Sequence, residues 1–254
     1  MFNQRPIKKS HKDEGEKPFW ISYSDLMTAC MTLFLVVMAV TVIMVKKRYA
    51  PEAEAAAKRE ESISVCAKEL QKKANDLFRG KAEIEYSKGD AIRIDLGSIV
   101  KFDNNRYSIS PEASKFLRQY IPSVLETVKN DQCKMYFRRV IVEGYTSKTG
   151  DYMTNLDLSL KRSKEVVCEL AKTDADGAGG LSSQDKNQVK RLFLVGGFSF
   201  NSQKKNDDES RRAELKLEFW QLGDARKRQE ESNVDLSGKE FYTPSSNVCP
   251  SQTY

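Results

Sequence analysis

The chain has almost no histidine, no closely spaced cysteines and only one long apolar run. Its one histidine, His11, lies in the polar N-terminal stretch. A Ser-His-Asp triad and a His-containing metal site in the folded body are therefore excluded. The five cysteines, Cys30, Cys66, Cys133, Cys168 and Cys249, show no C-x-x-C spacing, which removes the usual signature of a Cys-only zinc site. No catalytic constellation is present, so an enzyme is not expected, and neither is a resident cofactor or metal. A basic stripe is missing too. Lys and Arg are interleaved with Asp and Glu, and the net charge is only +6, so direct binding to nucleic acid is not expected.

The apolar run is Ile21–Val45, which would rise about 37 Å as a helix and cross a bilayer with some tilt. It contains a single charged residue, Asp25. An acid in such a segment costs about 3 kcal/mol at mid-membrane and less near the edge. Asp25 is accordingly the first functional candidate; the alternative is a helix N-terminal acid solvated at the interface. Tyr23, Ser24, Thr28 and Thr32 place hydroxyls around it. Thr28 and Thr32, three and seven residues on, lie on or near its face. They either order water and partner contacts or hydrogen-bond back to their own helix. The run is too long for a cleaved leader, and Lys46-Lys47-Arg48 follows it with no small-residue cleavage site. A retained anchor is expected over 20–45, behind a basic tail over 1–19. Flanking charges nearly balance, so charge alone leaves the orientation open.

After the anchor, 52–79 reads as a helix within a linker over 46–80. Ile63, Leu70 and Leu77 recur at seven, with Ala67 and Ala74 at the complementary positions and Gly80 as a stop. Two readings stand: a helix packed on the following domain, or a short parallel dimer helix in which Cys66 bonds between chains. A mixed domain is expected over 81–222. Ala82–Tyr86 and Ala91–Leu96 read as strands joined by Ser87-Lys88-Gly89-Asp90. Ser110-Pro111 opens a helix running to about Lys129. Arg138–Tyr145 is a strand. A helix spans 153–172, with Leu156, Leu160, Val167 and Leu170 as its apolar positions. A Gly/Ser/Asp loop covers 173–190, followed by strands at Arg191–Val195 and Ala213–Phe219. The polar tail, 223–254, has no periodicity and is expected to be loose unless Cys249 ties it down. Beyond Cys30, four cysteines remain. In an oxidising compartment they allow two disulfides and three pairings of Cys66, Cys133, Cys168 and Cys249.

Two segments carry a family resemblance. Trp20-Ile-Ser-Tyr-Ser-Asp25-Leu-Met-Thr-Ala-Cys-Met resembles the membrane segment of MotB-type stator subunits over about twenty residues. The 81–222 domain resembles the OmpA-like peptidoglycan-binding fold. Val100-Lys-Phe-Asp103 matches its Phe-Asp motif and Val142-Glu-Gly-Tyr-Thr146 its Glu-Gly-His/Tyr-Thr strand end. Asn155, Leu158, Ser159 and Arg162 match its Asn-x-x-Leu-Ser-x-x-Arg helix, and Ser210-Arg211-Arg212-Ala-Glu-Leu its closing strand. Three positions depart from it: Ser147 stands where the family usually has Asp, Thr154 where it often has Tyr, and Ser210 where it has Asn. Among stator-like proteins, the basic N-tail, post-membrane helix, cysteines and polar C-tail are most similar to those of the Zorya-type anti-phage defence systems.

The resemblance implies an α+β chain: one N-terminal transmembrane helix, a short helical linker and an OmpA-like βαβαβ-type periplasmic domain. It implies a single-pass bacterial inner-membrane protein with a cytoplasmic N-terminus. Asp25 would carry the coupling ion, H⁺ with Na⁺ as the alternative, at the interface with a MotA-like ring. At least a homodimer follows from one acid per chain. Peptidoglycan would be held by Arg162, with Asn155, Leu158, Thr146, Ser147, Arg211 and Arg212 around it. Asp151 or Asp157 would supply the acid missing at Ser147. Cytosolic nuclease or helicase effectors would act through the complex. The other readings are a flagellar-type motility stator, a passive wall tether, and a small energiser of the TolR/ExbD type. The size of the 81–222 domain argues against the last.

Overall fold

The computed structural model describes residues 19–78, 83–87, 91–97, 99–172, 180–233, 235–236, 238–241 and 249. The expected basic tail up to residue 18, the Gly80 stop, the turn at 88–90 and most of the C-terminal tail lie outside the described residues. Contacts divide the chain into two units, Met1–Glu54 and Ala55–Tyr254.

The first helix, α1, runs Phe19–Phe78 with Pro51 inside it. Its stretch from Tyr23 is long and apolar enough to cross a membrane, and is exposed residue by residue through Glu54. Its character changes within the second unit. Ile63, Cys66, Ala67, Leu70 and Ala74 are buried in the core of the mixed domain. Leu77 remains exposed. Of the two readings of the heptad, packing on the domain is the one found. Full burial of Ile63 and Leu70 contributes about 1.5–3 kcal/mol each. Polar contacts fix the register: Lys73 pairs with Glu126 at 2.7 Å, and Asn130 donates to Glu69 at 2.8 Å.

The remaining elements are β1 (Glu83–Ser87), β2 (Ala91–Asp95), α2 (Pro111–Thr127), α3 (Asp131–Lys134), β3 (Phe137–Gly144), α4 (Tyr152–Ala171), α5 (Ser183–Leu192), β4 (Phe193–Gly197), α6 (Asp207–Ser210), β5 (Ala213–Phe219) and α7 (Ala225–Ser232). The sheet order is β1-β2-β5-β3-β4, with β3 and β4 parallel and the other pairs antiparallel. From β2 onward the chain follows the expected βαβαβ-type order. Ile94, Leu215 and Val142 lie abreast, as do Ile92, Leu217 and Val140, and all six are buried on one face. Intervening residues carry charge on the other face, where Arg139 pairs with Glu218 at 2.8 Å and Lys216 with Glu218 at 3.1 Å.

Local chemistry starts the helices. The Ser110 hydroxyl accepts from the Ala113 amide, with Pro111 at the first helical position. Asp151 caps α4 by accepting from the Thr154 amide at 3.0 Å. Two glycines let α4 lie close on the sheet. A Cβ on Gly144 would come within 2.0 Å of the Ser159 carbonyl oxygen, and one on Gly197 within 2.8 Å of the Leu160 amide.

Three expectations need correction. The loop expected over 173–190 contains the start of α5, capped by Ser182, whose hydroxyl accepts from the Asp185 amide. Leu160, expected in the core, is exposed; its outward position is set by the Gly144 and Gly197 contacts that turn the opposite side of α4 to the sheet. The tail, expected to be loose unless Cys249 ties it down, is tied by the Cys168–Cys249 bond and contains a helix that was not expected, α7, held by Glu231, which pairs with Arg138, itself stacked 4.5 Å over Trp220. A tertiary ion pair fixes α7, so no apolar period announces it.

The structure pairs Cys66 with Cys133 and Cys168 with Cys249, each with 5.4 Å between Cα atoms, and leaves Cys30 free. The first bond joins α1 to α3 within one chain. Its partners are 67 residues apart, a separation for which loop-closure entropy gives about 4 kcal/mol. A Cys66→Ser/Cys133→Ser chain, in detergent, is expected to unfold at a clearly lower temperature than the parent. Equal melting temperatures would show that the bond does not stabilise the domain.

Candidate functional site

Asp25 lies on the exposed part of α1 and is the one charged side chain between Ile21 and Val45. The two threonines near it bend back on the helix. Thr28 Oγ1 donates to the Asp25 carbonyl and Thr32 Oγ1 to the Ala29 carbonyl, both at 2.9 Å. Their protons are used within the helix, while their lone pairs still face outward. Tyr23 and Ser24 are exposed beside them. This face can take a partner helix: it is apolar except for one carboxylate and a fringe of hydroxyl acceptors.

The second candidate lies where β3 ends and α4 begins. Arg162 is completely buried. Its Nε donates to the Arg106 carbonyl at 3.0 Å, Nη1 to Tyr145 at 2.8 Å and Nη2 to Asp103 at 3.0 Å. The guanidinium sits 5.0 Å from the Phe102 ring centre. It thereby ties the 102–106 loop to the end of β3. No carboxylate among the described residues pairs with it. Burial, with help from nearby Arg211, pushes it down to about 10, so it stays cationic at neutral pH. Two of its five N–H groups remain beyond those three bonds.

Around it, Arg211 donates to the Phe102 carbonyl at 3.2 Å and pairs with Asp208. Thr146 and Ser147 are buried, and Thr146 Oγ1 has no hydrogen-bond partner among the described residues. The Thr146 amide is held by the Ser199 carbonyl, and its own carbonyl accepts from Gln203. Asn155 is spent locally: its amide donates to the Thr149 and Asp151 carbonyls at 2.8 and 3.0 Å, closing the turn before α4. Leu158 is half-buried. The two expected replacement acids are engaged elsewhere. Asp151 takes both the amide and hydroxyl protons of Thr154, which hold it below the usual carboxylate range. Asp157 pairs with Lys161 at 2.6 Å on the exposed face. Arg212 is buried in a bracing role. It bonds Glu214 at 2.7 Å and the Ser202 carbonyl at 3.1 Å, and stacks 4.2 Å over Tyr145.

Sequence reading missed the cluster beneath this site. Glu143, almost fully buried, pairs with Arg93 and accepts from the Tyr145 hydroxyl at 2.7 Å. Arg93 also reaches Glu214 at 3.3 Å. Burial and the adjoining Glu143 hold the Tyr145 phenol well above its ordinary value. The available signal was Arg93 in strand alternation, which puts it on the face opposite Ile92 and Ile94. The partner that crosses the sheet was not visible. This cluster fixes Tyr145, whose carbonyl in turn holds Arg162.

An Arg162→Met chain keeps side-chain length but loses three hydrogen bonds and leaves the buried Tyr145 carbonyl without its guanidinium donor, the last at about 1–3 kcal/mol. Its melting temperature is expected to fall steeply, with Arg162→Lys intermediate. A parent-like value for Arg162→Met would show that these bonds do not hold the loop.

Residues 4–51 match the family model described as membrane MotB of the proton-channel complex MotA/MotB. A putative MotB-like protein from Desulfovibrio vulgaris aligns with TM-score 0.43 and 16% identity over 65% of this chain and 99% of that one. The cell wall anchor of the type VI secretion system from Pseudomonas aeruginosa aligns with TM-score 0.37 and 17% identity over 59% and 96%. The Zorya protein ZorB of Escherichia coli O139:H28 is 37% identical over 225 residues, covering 89% of this chain and 90% of that protein. With 37% identity over 89% of its length, the chain belongs to the ZorB family.

Proposed function

We propose that the chain is the wall-anchored stator subunit of a proton-driven inner-membrane motor serving an anti-phage defence complex. The observation that carries this reading is Asp25, a lone carboxylate on an otherwise uncharged and fully exposed helical face. In this arrangement residues 1–19 are cytoplasmic and residues 46–254 are periplasmic. Two copies sit within a ring of MotA-like subunits. Protonation of Asp25 removes its charge and changes its hold on the ring; release toward the cytoplasm restores it. Each charge moved through the field is worth about 2.3 kcal/mol per 100 mV, enough to bias a mechanical step. Cytosolic effectors receive the output through the ring.

The wall end supplies the reaction torque. A buried cation without a paired carboxylate favours an anionic group nearby, and the two N–H groups of Arg162 outside its carbonyl bonds suit a stem-peptide carboxylate. The Thr146 hydroxyl, which has no hydrogen-bond partner among the described residues, would donate to the same ligand. The ZorB relationship favours defence over flagellar motility. A passive tether would leave Asp25 without a role.

An Asp25→Asn chain is expected to insert and assemble normally while protection against phage falls to the level of cells lacking the protein. Full protection would eliminate the ion site and leave the tether. The wall site is tested separately by Thr146→Val, which preserves shape and is expected to keep the parent melting temperature. Its co-sedimentation with purified sacculi should weaken several-fold. Unchanged binding would remove Thr146 from the ligand site.

A further inference from the structure

The Arg162 site occupies one end of the sheet, where Tyr145 follows the last residue of β3. The other end of β3, roughly 23 Å away along the strand, has chemistry of its own. β4 starts there, with Phe193 beside Val140, and β5 finishes there, with Phe219 beside Phe137. The Trp220 amide donates to the Tyr136 carbonyl at 2.7 Å, and α7 returns to pair Glu231 with Arg138. Between these elements lies a cavity of about 360 Å³. Trp220 and Leu194 line its apolar part; Arg138, Arg139, Arg191 and Arg228 line the rest.

The charge in this cavity is unbalanced. Glu231 is the one carboxylate in the lining, and Arg138 takes it. Arg139 pairs with Glu218. The α7 pairs, Arg226 with Glu230 and Lys227 with Asp224, are neutral in themselves. Arg191 has no ion pair among the described residues, and Arg228 has only the Lys134 carbonyl, at 3.5 Å. Apolar side chains stand exposed beside these two cations. Met135, next to Lys134, is 55% exposed, and Leu222, on the approach to α7, is 45% exposed. Free guanidiniums, a tryptophan and exposed leucine and methionine together suit a bilayer interface, where phosphates meet the cations and the apolar groups sink below them. Chain connectivity favours the same surface. Arg59 Nε donates to the Trp220 carbonyl at 2.8 Å, so the chain coming from the anchor joins the domain at this end. Arg59 is only fourteen residues past Val45, a contour of roughly 21 Å as helix.

We propose that this end of the domain docks on anionic phospholipid headgroups, with Arg191 and Arg228 taking phosphates at the cavity mouth and Met135 and Leu222 entering the interface. Each cation beside an anionic bilayer adds roughly five-fold in binding, so two give a contact that forms and releases. The Arg162 end of β3 stays clear of the bilayer while the domain is docked. The inference needs the membrane anchor but neither the ion site nor the wall site.

The test uses the full chain, carrying Cys30→Ser, in nanodiscs of phosphatidylcholine alone or mixed with phosphatidylglycerol. A fluorophore on Leu222→Cys reads contact through quenching by lipids spin-labelled at the headgroup. Quenching is expected to be several-fold stronger with phosphatidylglycerol and to disappear in high salt. Arg191→Gln combined with Arg228→Gln should reduce it several-fold at the parent melting temperature. The same fluorophore on Lys148→Cys, exposed beyond the opposite end of β3, should stay unquenched. Equal quenching in the two lipids, persistence in high salt, or matching quenching at Lys148→Cys would each overturn the docking. The lipid and salt comparisons keep both arginines, so they decide the question even if the double variant melts early. Adding Asp25→Asn or Thr146→Val should leave the Leu222→Cys signal unchanged, so the motor reading can fail without affecting this result.

Discussion

Taking a guanidinium out of water with no carboxylate beside it is unfavourable, and Arg162 is kept in that state by three backbone carbonyls. Those carbonyls belong to two segments far apart in sequence, the 102–106 loop and the end of β3. The arginine therefore does two things with one charge. It closes the loop onto the sheet, and it leaves a cation whose compensation is dipolar rather than ionic. The Glu143 cluster matters for the same reason. By fixing Tyr145 through Arg93 and the phenol hydrogen bond, it sets the carbonyl on which Arg162 depends. The close approach of α4 to β3, possible only because residue 144 is glycine, puts the guanidinium within reach.

α1 meets two different demands. Its first part presents apolar side chains and one acid to its surroundings; its second part supplies Ile63, Leu70 and Ala74 to the core of a soluble domain. The Cys66–Cys133 bond fixes that second part to α3. The segment after Glu54, which would otherwise serve as a loose tether, is thus part of the mixed domain.

Much of the architecture was legible in the chain. Strand alternation placed Ile92, Ile94, Leu215 and Leu217, and the Ser110-Pro111 pair marked the start of α2, because these signals are local. The roles around Arg162 were not legible to the same degree. The family resemblance grouped it with Asn155, Leu158 and Arg212 in one site, yet Asn155 closes a turn and Arg212 braces Glu214. Which partner a polar side chain finds depends on atoms brought together from distant strands, and sequence spacing does not specify them. The same holds for α7, whose anchor is an ion pair between Arg138 and Glu231.

By itself, the sequence determined that a helix of bilayer length carries a single acid and that an α+β domain follows. Segment length, net hydrophobicity and periodicity are properties of contiguous residues. Only the tertiary structure decided which cysteines pair, that the heptad of α1 is spent in the domain core, and that Arg162 is buried among carbonyls. Each of those outcomes depends on satisfying buried groups across long sequence separations, and that balance exists only once the chain has closed on itself.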